Sequence, residues 1–162
     1  MTKRNSGTAA TTYTFTYDSE NRMVNAKNDS NTTNVTYVFD GDGRRVKSTQ
    51  ILSGVTSWTT LVGNYFEWNG TAGTKYYFAG GQRIAFRSSA GLYYIFSDHL
   101  GSASVTTDGS GGSITRYGYY PFGEERYGST ALPYQYTGQR KEASIGLYDY
   151  NARFYDSSVA AS

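Results

Sequence analysis

Aromatic and polar residues alternate along much of this chain, in short runs that end at turn-forming residues. In the run 12–17, Tyr13, Phe15 and Tyr17 alternate with threonines, and the run 34–39 has a similar pattern. A period of two places the aromatic side chains on one face of a β-strand and the polar ones on the other. We therefore predict half-buried strands, with Tyr13, Phe15 and Tyr17 on a single face.

Seven runs share one order: an aromatic strand end, a short polar turn, and a basic or polar strand start. Asp40-Gly41-Asp42-Gly43 is a strong hairpin signal, because aspartate and glycine tolerate positive φ angles. The seven units lie at 14–22, 37–45, 76–83, 94–102, 119–126, 134–140 and 147–153. A repeated unit of this kind is typical of architectures that grow by stacking and that function through an assembled surface.

The turns divide the chain into strands at a spacing of roughly ten residues, which favours a meander, a barrel or a coiled sheet. We predict an all-β fold in which antiparallel hairpin repeats form a curved or coiled sheet, like a strip of shell, with barrel-like closure as an alternative. The predicted strands lie at 12–17, 22–27, 34–39, 44–52, 55–62, 65–68, 75–78, 83–87, 92–96, 103–107, 114–120, 134–137 and 146–150. The best helix candidate is 139–145.

Composition supports this fold and a single domain. The 162 residues include 17 tyrosines and 19 glycines but only 2 prolines, which suits pleated strands joined by tight turns. This length is sufficient for one domain with its own core. We divide the chain into a polar N-terminal tail at 1–11, a β domain at 12–156 and a C-terminal tail at 157–162.

Charge and cysteine content exclude several kinds of function. The net charge of +2 is weak and dispersed, which argues against nucleic acid as a partner, and we interpret the basic residues at turn exits as solvated strand starts. The absence of cysteine excludes thiol catalysis, disulfides and cysteine-ligated zinc, and no motif predicts a cofactor. No run of 18 apolar residues is present, so we predict no membrane span.

Several ordered motifs resemble a known family. Tyr17-Asp18 leads into a turn that ends at Arg22, Phe39-Asp40 into one that ends at Gly43-Arg44, and a longer ordered series follows from residue 92 onwards. The residues that carry the pattern are Tyr17, Asp18, Phe39, Asp40, Gly43, Asp98, His99, Gly101, Pro121, Phe122, Gly123, Gly138, Tyr148, Tyr150, Arg153 and Tyr155. This series resembles the RHS (rearrangement hotspot) and YD-repeat family, including its RHS-associated core.

The resemblance implies a structural role. Such proteins build a long β-sheet that coils into a hollow shell, which encloses a toxin in bacterial members and serves adhesion in the animal teneurins. The core caps the shell, and in many toxins an aspartate-dependent self-cleaving segment follows it. Here the run 157–162 stands where the family continues with proline and a second aspartate motif, and seven repeats are too few to enclose a cargo.

We therefore expect a scaffold segment of such a shell, or a short relative that assembles with copies of itself into a larger extracellular body. An open strip exposes two edge strands, which further repeats or another copy must cover, so we predict that the isolated chain is not a monomer. By resemblance the protein is secreted or at the cell surface, although the first residues contain no apolar signal core.

Two other functions remain open at this level. The tyrosine rows, with Trp58 and Trp68, suit a carbohydrate-binding or adhesive surface, because these rings combine a flat apolar face with a polar atom. Asp156 lies where the self-cleaving region of the family begins, so the chain is alternatively a remnant of a self-cleaving core.

No compact catalytic or metal site is predicted. His99 is the single histidine and lies in a repeat turn, and the Asp40–Gly43 turn has two arginines where a calcium loop needs oxygen ligands. Glu125 with Glu142 is a carboxylate pair of the kind glycosidases use, but nothing else in the sequence supports that activity. We predict a protein that is not an enzyme.

Overall fold

The computed structural model describes residues 3–6, 11–128, 132–151 and 153–159. Its main feature is a 12-stranded sheet in which the strands follow chain order. The strands are β1 (Lys3–Ser6), β2 (Thr11–Tyr17), β3 (Met23–Asn28), β4 (Thr33–Phe39), β5 (Arg45–Leu52), β6 (Val55–Val62), β7 (Phe66–Trp68), β8 (Gly73–Ala79), β9 (Gln82–Ser88), β10 (Gly91–Ser97), β11 (Ala103–Asp108) and β12 (Thr115–Arg116). Every neighbouring pair is antiparallel.

Two small sheets follow the main one. The first pairs β13 (Gly118–Tyr119) with β14 (Glu125–Tyr127), and the second has the order β15 (Arg140–Glu142), β16 (Leu147–Asp149), β17 (Phe154–Tyr155). A 3₁₀ turn at Tyr136–Gly138 precedes β15. No α-helix occurs among the described residues, and none of their helical turns is long or apolar enough to cross a membrane.

The predicted fold class is confirmed, with one of its alternatives removed. The protein is all-β, built from long antiparallel hairpins, and the sheet is open rather than closed into a barrel. Within the described residues β1 pairs only with β2, and β12 only with β11. These two strands are therefore the edges that the sequence led us to expect.

Three predicted elements near the end of the chain are wrong. The candidate helix at 139–145 is β15 and a turn, because the Lys141 N–H donates to the Pro133 carbonyl at 2.8 Å and β15 pairs with β16. The candidate strand at 134–137 is a single bridge followed by the 3₁₀ turn. The candidate strand at 114–120 divides into β12 and β13 at Tyr117, whose N–H donates to Ser104 at 2.9 Å.

The predicted N-terminal tail contains a strand. Lys3–Ser6 pairs with β2 in antiparallel register, opposite Thr11 to Thr14. A polar run can join a sheet through its backbone alone, so its lack of aromatic residues concealed it. The division into tail, β domain and tail otherwise stays a prediction.

One five-residue turn recurs six times and explains the repeat. The N–H of the first residue donates to the carbonyl of the fifth residue, and the carbonyl of the first residue accepts from the N–H of the fourth. The fourth residue has positive φ. These bonds, with the positive φ of the fourth residue, are those of a tight hairpin turn that ends in a bulge. The first residues are Asp18, Asp40, Asp98, Asp108, Tyr120 and Gln135. In the Gln135 turn the third residue, Thr137, has positive φ as well. In the four aspartate turns, one carboxylate oxygen also accepts from the third and fifth N–H groups.

The bulge places one extra residue in the strand that follows each turn, as with Val24 of β3. The register shifts between Thr16 and Tyr17, directly before the first turn. Tyr13 and Phe15 are 8% and 7% exposed, whereas Tyr17 is 37% exposed. Tyr17 lies opposite buried Met23, so the register is consistent with the prediction that the three aromatic residues share one face, although Tyr17 at the strand end is less covered.

The core lies between the sheet and the C-terminal segment, which we define as residues 132–151 and 153–159. Ile145 and Leu147 pack against β2, β3 and β4, while Leu132 and Tyr134 pack against β8, β10 and β11. Burial of each such aliphatic side chain contributes about 1.5–3 kcal/mol. The C-terminal segment thus crosses the sheet, and we call the face that it covers the inner face.

Candidate functional site

Buried ion pairs hold the C-terminal segment to the inner face. The Arg45 side chain is 7% exposed, and its Nη2 lies 2.8 Å from Glu142 and 3.3 Å from Asp149. Arg140 of the segment pairs with Glu67 of β7 and, at 3.1 Å, with Glu142. Two sheet residues and three segment residues thus form one network, which fixes the segment's position across the sheet.

Burial dominates the electrostatics of this network. It raises the pKa of Asp149 above its usual value, and the neighbouring Arg45 opposes that rise. Burial also raises the pKa of Tyr37 well above its ordinary range, with nearby Glu142 adding to the effect. The Arg45 guanidinium lies 5.0 Å from the centre of the Tyr37 ring, so a cation–π contact extends the network into the sheet.

Arg83 is bound differently from the other buried arginines. Its guanidinium carbon lies 3.3 Å from the centre of the Tyr134 ring and 5.0 Å from those of Tyr76 and Phe78. Its one hydrogen bond to the described residues runs from Nη1 to the Gly138 carbonyl, at 3.4 Å. Arg83 forms no ion pair with any described residue, and burial lowers its pKa.

A cleft of about 930 Å³ lies beside this network. Its walls are the hairpin turns β4–β5, β6–β7, β8–β9 and β10–β11 on one side and the C-terminal segment on the other. Four arginines and two aspartates line it, namely Arg44, Arg45, Arg83, Arg140, Asp42 and Asp149. We treat this cleft as the candidate site.

Three tyrosine hydroxyls clamp one turn. Tyr148 is fully buried, and its hydroxyl donates to the carbonyl of Gly123 at 3.0 Å. The hydroxyls of Tyr136 and Tyr155 donate to the carbonyls of Pro121 and Phe122, at 2.8 and 2.9 Å. Three consecutive carbonyls therefore each accept a hydrogen bond from a tyrosine of the C-terminal segment. These bonds hold the turn after β13 against that segment.

The predicted repeat residues occupy three kinds of position. Asp18, Asp40 and Asp98 begin the recurring turns. Others lie in the clamped turn or the C-terminal segment, namely Pro121, Phe122, Gly123, Gly138, Tyr148, Tyr150, Arg153 and Tyr155. The remainder sit in or beside the turns, namely Tyr17, Phe39, Gly43, His99 and Gly101. Their functional role stays a prediction, since this placement concerns structure alone.

The two tryptophans lie on the outer face, opposite the C-terminal segment. Trp58 and Thr60 share one face of β6, and Thr60 lies opposite Trp68 in the next strand. Buried Leu61 points to the other face. Trp58 and Trp68 are 37% and 39% exposed, so parts of both rings are accessible. The Lys47 ammonium lies 5.5 Å from the centre of the Trp58 ring.

The catalytic arrangements weighed from sequence are not assembled among the described residues. The Asp98 carboxylate accepts N–H groups of its own turn, and exposed His99 lies within that turn. Glu125 pairs with Lys141, at 3.0 Å, while Glu142 is held by two arginines. Asp156 accepts hydrogen bonds from Ser158, at 3.0 and 2.7 Å.

The sequence reasoning missed the buried arginines. Basic residues at turn exits were predicted to be solvated strand starts, but Arg45 and Arg140 are buried in ion pairs. A signal was present, since Arg83 and Arg140 each end a Gly-Gln-Arg triplet at the same point of the repeat. The triplet does not reveal which carboxylates meet these arginines, because Glu67 and Arg140 are 73 residues apart.

Comparison with known proteins gives a clear likeness in fold. No family model matches this chain. Salivary gland surface protein 1 of Aedes aegypti is 35% identical over 81 residues, which cover 47% of this chain and 2% of that protein. The structure of the Photorhabdus luminescens Tc holotoxin pore superposes with a TM-score of 0.75 and 19% identity, over 97% of this chain and 9% of that one.

A second toxin structure agrees. The crystal structure of TcdB2–TccC3 superposes with a TM-score of 0.74 and 20% identity, over 91% of this chain and 9% of that one. The chain therefore spans less than a tenth of the length of these proteins. At such identities the likeness is one of fold, and nearly the whole of this chain, including its C-terminal segment, has the fold of one portion of a Tc toxin complex.

Proposed function

We propose that this chain is a structural scaffold segment, a strip of a larger YD-repeat shell that further repeats or other copies extend. The observation that carries the proposal is the open 12-stranded sheet, whose two edge strands each have one partner among the described residues. Exposed sheet edges present unpaired backbone groups that readily pair with another strand. A strip with two such edges can be extended at either end by further strands.

The inner-face contacts also support a scaffold. A long hairpin sheet is stable only when one face is covered, and here the C-terminal segment covers it with two apolar clusters and buried ion pairs. The fold match to the Tc toxin complexes, such as TcdB2–TccC3, favours the same interpretation. We accordingly propose a protein without catalytic activity that is exported from the cell.

Sedimentation and negative-stain electron microscopy of the 162-residue chain test the proposal. We expect concentration-dependent oligomers, fibres or rings formed through the edge strands. Arg116→Pro in β12 removes a backbone donor that faces outward, because the N–H of the next residue, Tyr117, points inward to Ser104. Proline at an edge blocks strand addition. It should reduce assembly while circular dichroism shows that the sheet is retained. A stable monomer at high concentration contradicts self-assembly, and it leaves only extension by repeats of the same longer chain.

A second proposed function is a carbohydrate-binding or adhesive surface on the outer face. It rests on the accessible rings of Trp58 and Trp68, which share that face. A glycan array probed with the chain should give a signal that Trp58→Ala and Trp68→Ala both remove, with Tyr94→Ala on the same sheet as the control. The absence of any glycan signal, or a signal that survives both tryptophan changes, rejects this function.

A further inference from the structure

Two buried arginines in the cleft have N–H groups without an acceptor. The Nε and Nη1 atoms of Arg45 and the Nε atom of Arg83 are buried and form no hydrogen bond with the described residues. Buried donors are nearly always paired in folded proteins, and one that is not calls for an explanation. Both arginines line the same cleft, so one explanation serves for both.

The charges around the cleft favour an anionic ligand. Asp149, one of the two lining aspartates, is already bound to Arg45, and Glu67 and Glu142 are bound to Arg140 and Arg45. Arg83 has no carboxylate partner among the described residues, and burial disfavours its charge. The carboxylates in and beside the cleft equal the four lining arginines in number, but none of them pairs with Arg83. Arg83 therefore lacks a local counter-ion in a partly desolvated setting, where an ion contact is stronger than in water.

The position of Arg83 suits a planar carboxylate. Its guanidinium carbon lies over the Tyr134 ring, 3.3 Å from the ring centre, a contact that restricts the fork, and its Nε has no acceptor among the described residues. A carboxylate in the plane of the fork can accept two parallel N–H groups, a geometry in which arginine binds more specifically than lysine. The ring contact restricts the side chain before any ligand arrives, so little side-chain entropy is lost on binding.

We propose that this cleft is a binding site for a carboxylate ligand, with Arg83 as the residue that anchors it and Arg45 as a supporting donor. The cleft extends along four successive hairpin turns, from β4–β5 to β10–β11. At the usual strand spacing this distance is about 30 Å along the curved sheet. The carboxylate is borne by an extended acidic polypeptide or by a free dicarboxylate, and both supply the same group to Arg83.

Isothermal titration calorimetry on the full 162-residue chain tests the site with two probes. The first is sodium succinate, and the second is a blocked pentapeptide of alternating glycine and glutamate, with its glutamine counterpart as the neutral control. Ionic strength is held constant, because general charge screening would otherwise imitate specific binding. We expect saturable binding of at least one anionic probe and none of the neutral peptide. The probe that binds identifies the source of the carboxylate.

Variants of one strand assign the binding to Arg83. Arg83→Gln should weaken binding by about tenfold or more, and Arg83→Lys should also weaken it, since lysine keeps the charge but loses the fork. Arg87→Gln is the matched control, because Arg87 is an exposed residue of the same strand that does not line the cleft. Circular dichroism checks that each variant is folded, and if Arg83→Gln is not, the Lys variant decides. The proposal is overturned if no anionic probe saturates, or if Arg83 variants and Arg87→Gln bind equally well.

Discussion

The hydroxyl of Tyr148 donates a hydrogen bond to the carbonyl oxygen of Gly123 at 3.0 Å, across 25 residues of chain. Tyr148 is fully buried, and its hydroxyl also lies 3.4 Å from Gln135. This bond joins the turn after β13 to the C-terminal segment in the interior of the protein. This turn is exposed at Pro121 and Phe122, and the bond anchors it at its fourth residue, Gly123.

Replacing Tyr148 with phenylalanine should destabilise the protein by about 1–2 kcal/mol, because a buried carbonyl loses its donor while the ring remains. Urea unfolding followed by circular dichroism measures the change. Tyr155→Phe is the control, since its hydroxyl donates to the adjacent Phe122 carbonyl in an exposed setting and should cost less. Equal effects of the two changes would show that burial of the Tyr148 bond contributes nothing.

Replacing Arg45 with methionine tests the buried ion pairs. The change leaves Asp149 without its arginine partner and Glu142 with one of its two arginine partners. We therefore expect a loss of about 3–5 kcal/mol of unfolding free energy. Arg44→Met is the matched control, because Arg44 is the exposed neighbour and its removal should cost less than about 0.5 kcal/mol. Chemical denaturation of both variants gives the comparison. If the two losses are alike, the network does not fix the C-terminal segment.

Two glycines at the same place in the repeated turn should differ in their tolerance of alanine. Gly43 and Gly123 have φ angles of 77° and 87°, where a side chain costs about 1 kcal/mol. A Cβ at Gly43 would meet nothing nearer than the Arg22 side chain at 3.6 Å, whereas at Gly123 Cβ would overlap the Tyr136 ring.

We therefore expect Gly43→Ala to lower stability by about 1–2 kcal/mol and Gly123→Ala by several. Thermal unfolding of the two variants, each compared with the unaltered chain, makes the measurement. The backbone strain is common to both sites, so the difference between the variants reports the ring contact. A Gly123→Ala variant as stable as Gly43→Ala would mean that the Tyr136 ring moves aside freely.

Local pattern predicted the strands and turns well, because each hairpin is specified by adjacent residues. Val55–Val62 was predicted with both ends correct, and the Asp40 turn was identified from its four residues. Apart from β1, which lies in the predicted tail, the failures lie after residue 113, where β12 to β17 are only 2 or 3 residues long. In such short elements, contacts with distant strands decide the conformation, and the local pattern contains no record of those contacts.

The candidate site could not be predicted from the sequence, for a related reason. Arg45, Arg83 and Arg140 leave their turns at a position that local pattern assigns to solvent. Arg45 is buried because the C-terminal segment crosses the inner face and brings Glu142 and Asp149 onto the sheet. The same segment places Tyr134 against Arg83 and brings its own Arg140 to Glu67. A repeat predicts which residues recur, but which of two faces is covered depends on the path of a segment about 100 residues later in the chain.

Acid should remove the contribution of the Asp108 turn to stability. The carboxylate accepts from the Ser110 hydroxyl at 2.6 Å and from the N–H groups of Ser110 and Gly112 at 2.9 and 2.8 Å. These bonds, with that of the Ser110 side chain foremost, lower the pKa of Asp108 from 3.8 to about 2. A pKa lowered by folding means that the stabilisation is complete above pH 3.8 and is lost as pH falls through about 2.

Asp108→Asn should accordingly lower the melting temperature at pH 7, and the difference from the unaltered chain should shrink between pH 3.8 and about 2. Scanning calorimetry across this range measures it. Asp42→Asn is the control, because Asp42 is an exposed aspartate at an inner position of an equivalent turn, where its side chain does not accept the turn's N–H groups. A difference that stays constant down to pH 2 would contradict the prediction, because the effect would then not depend on the ionisation of Asp108.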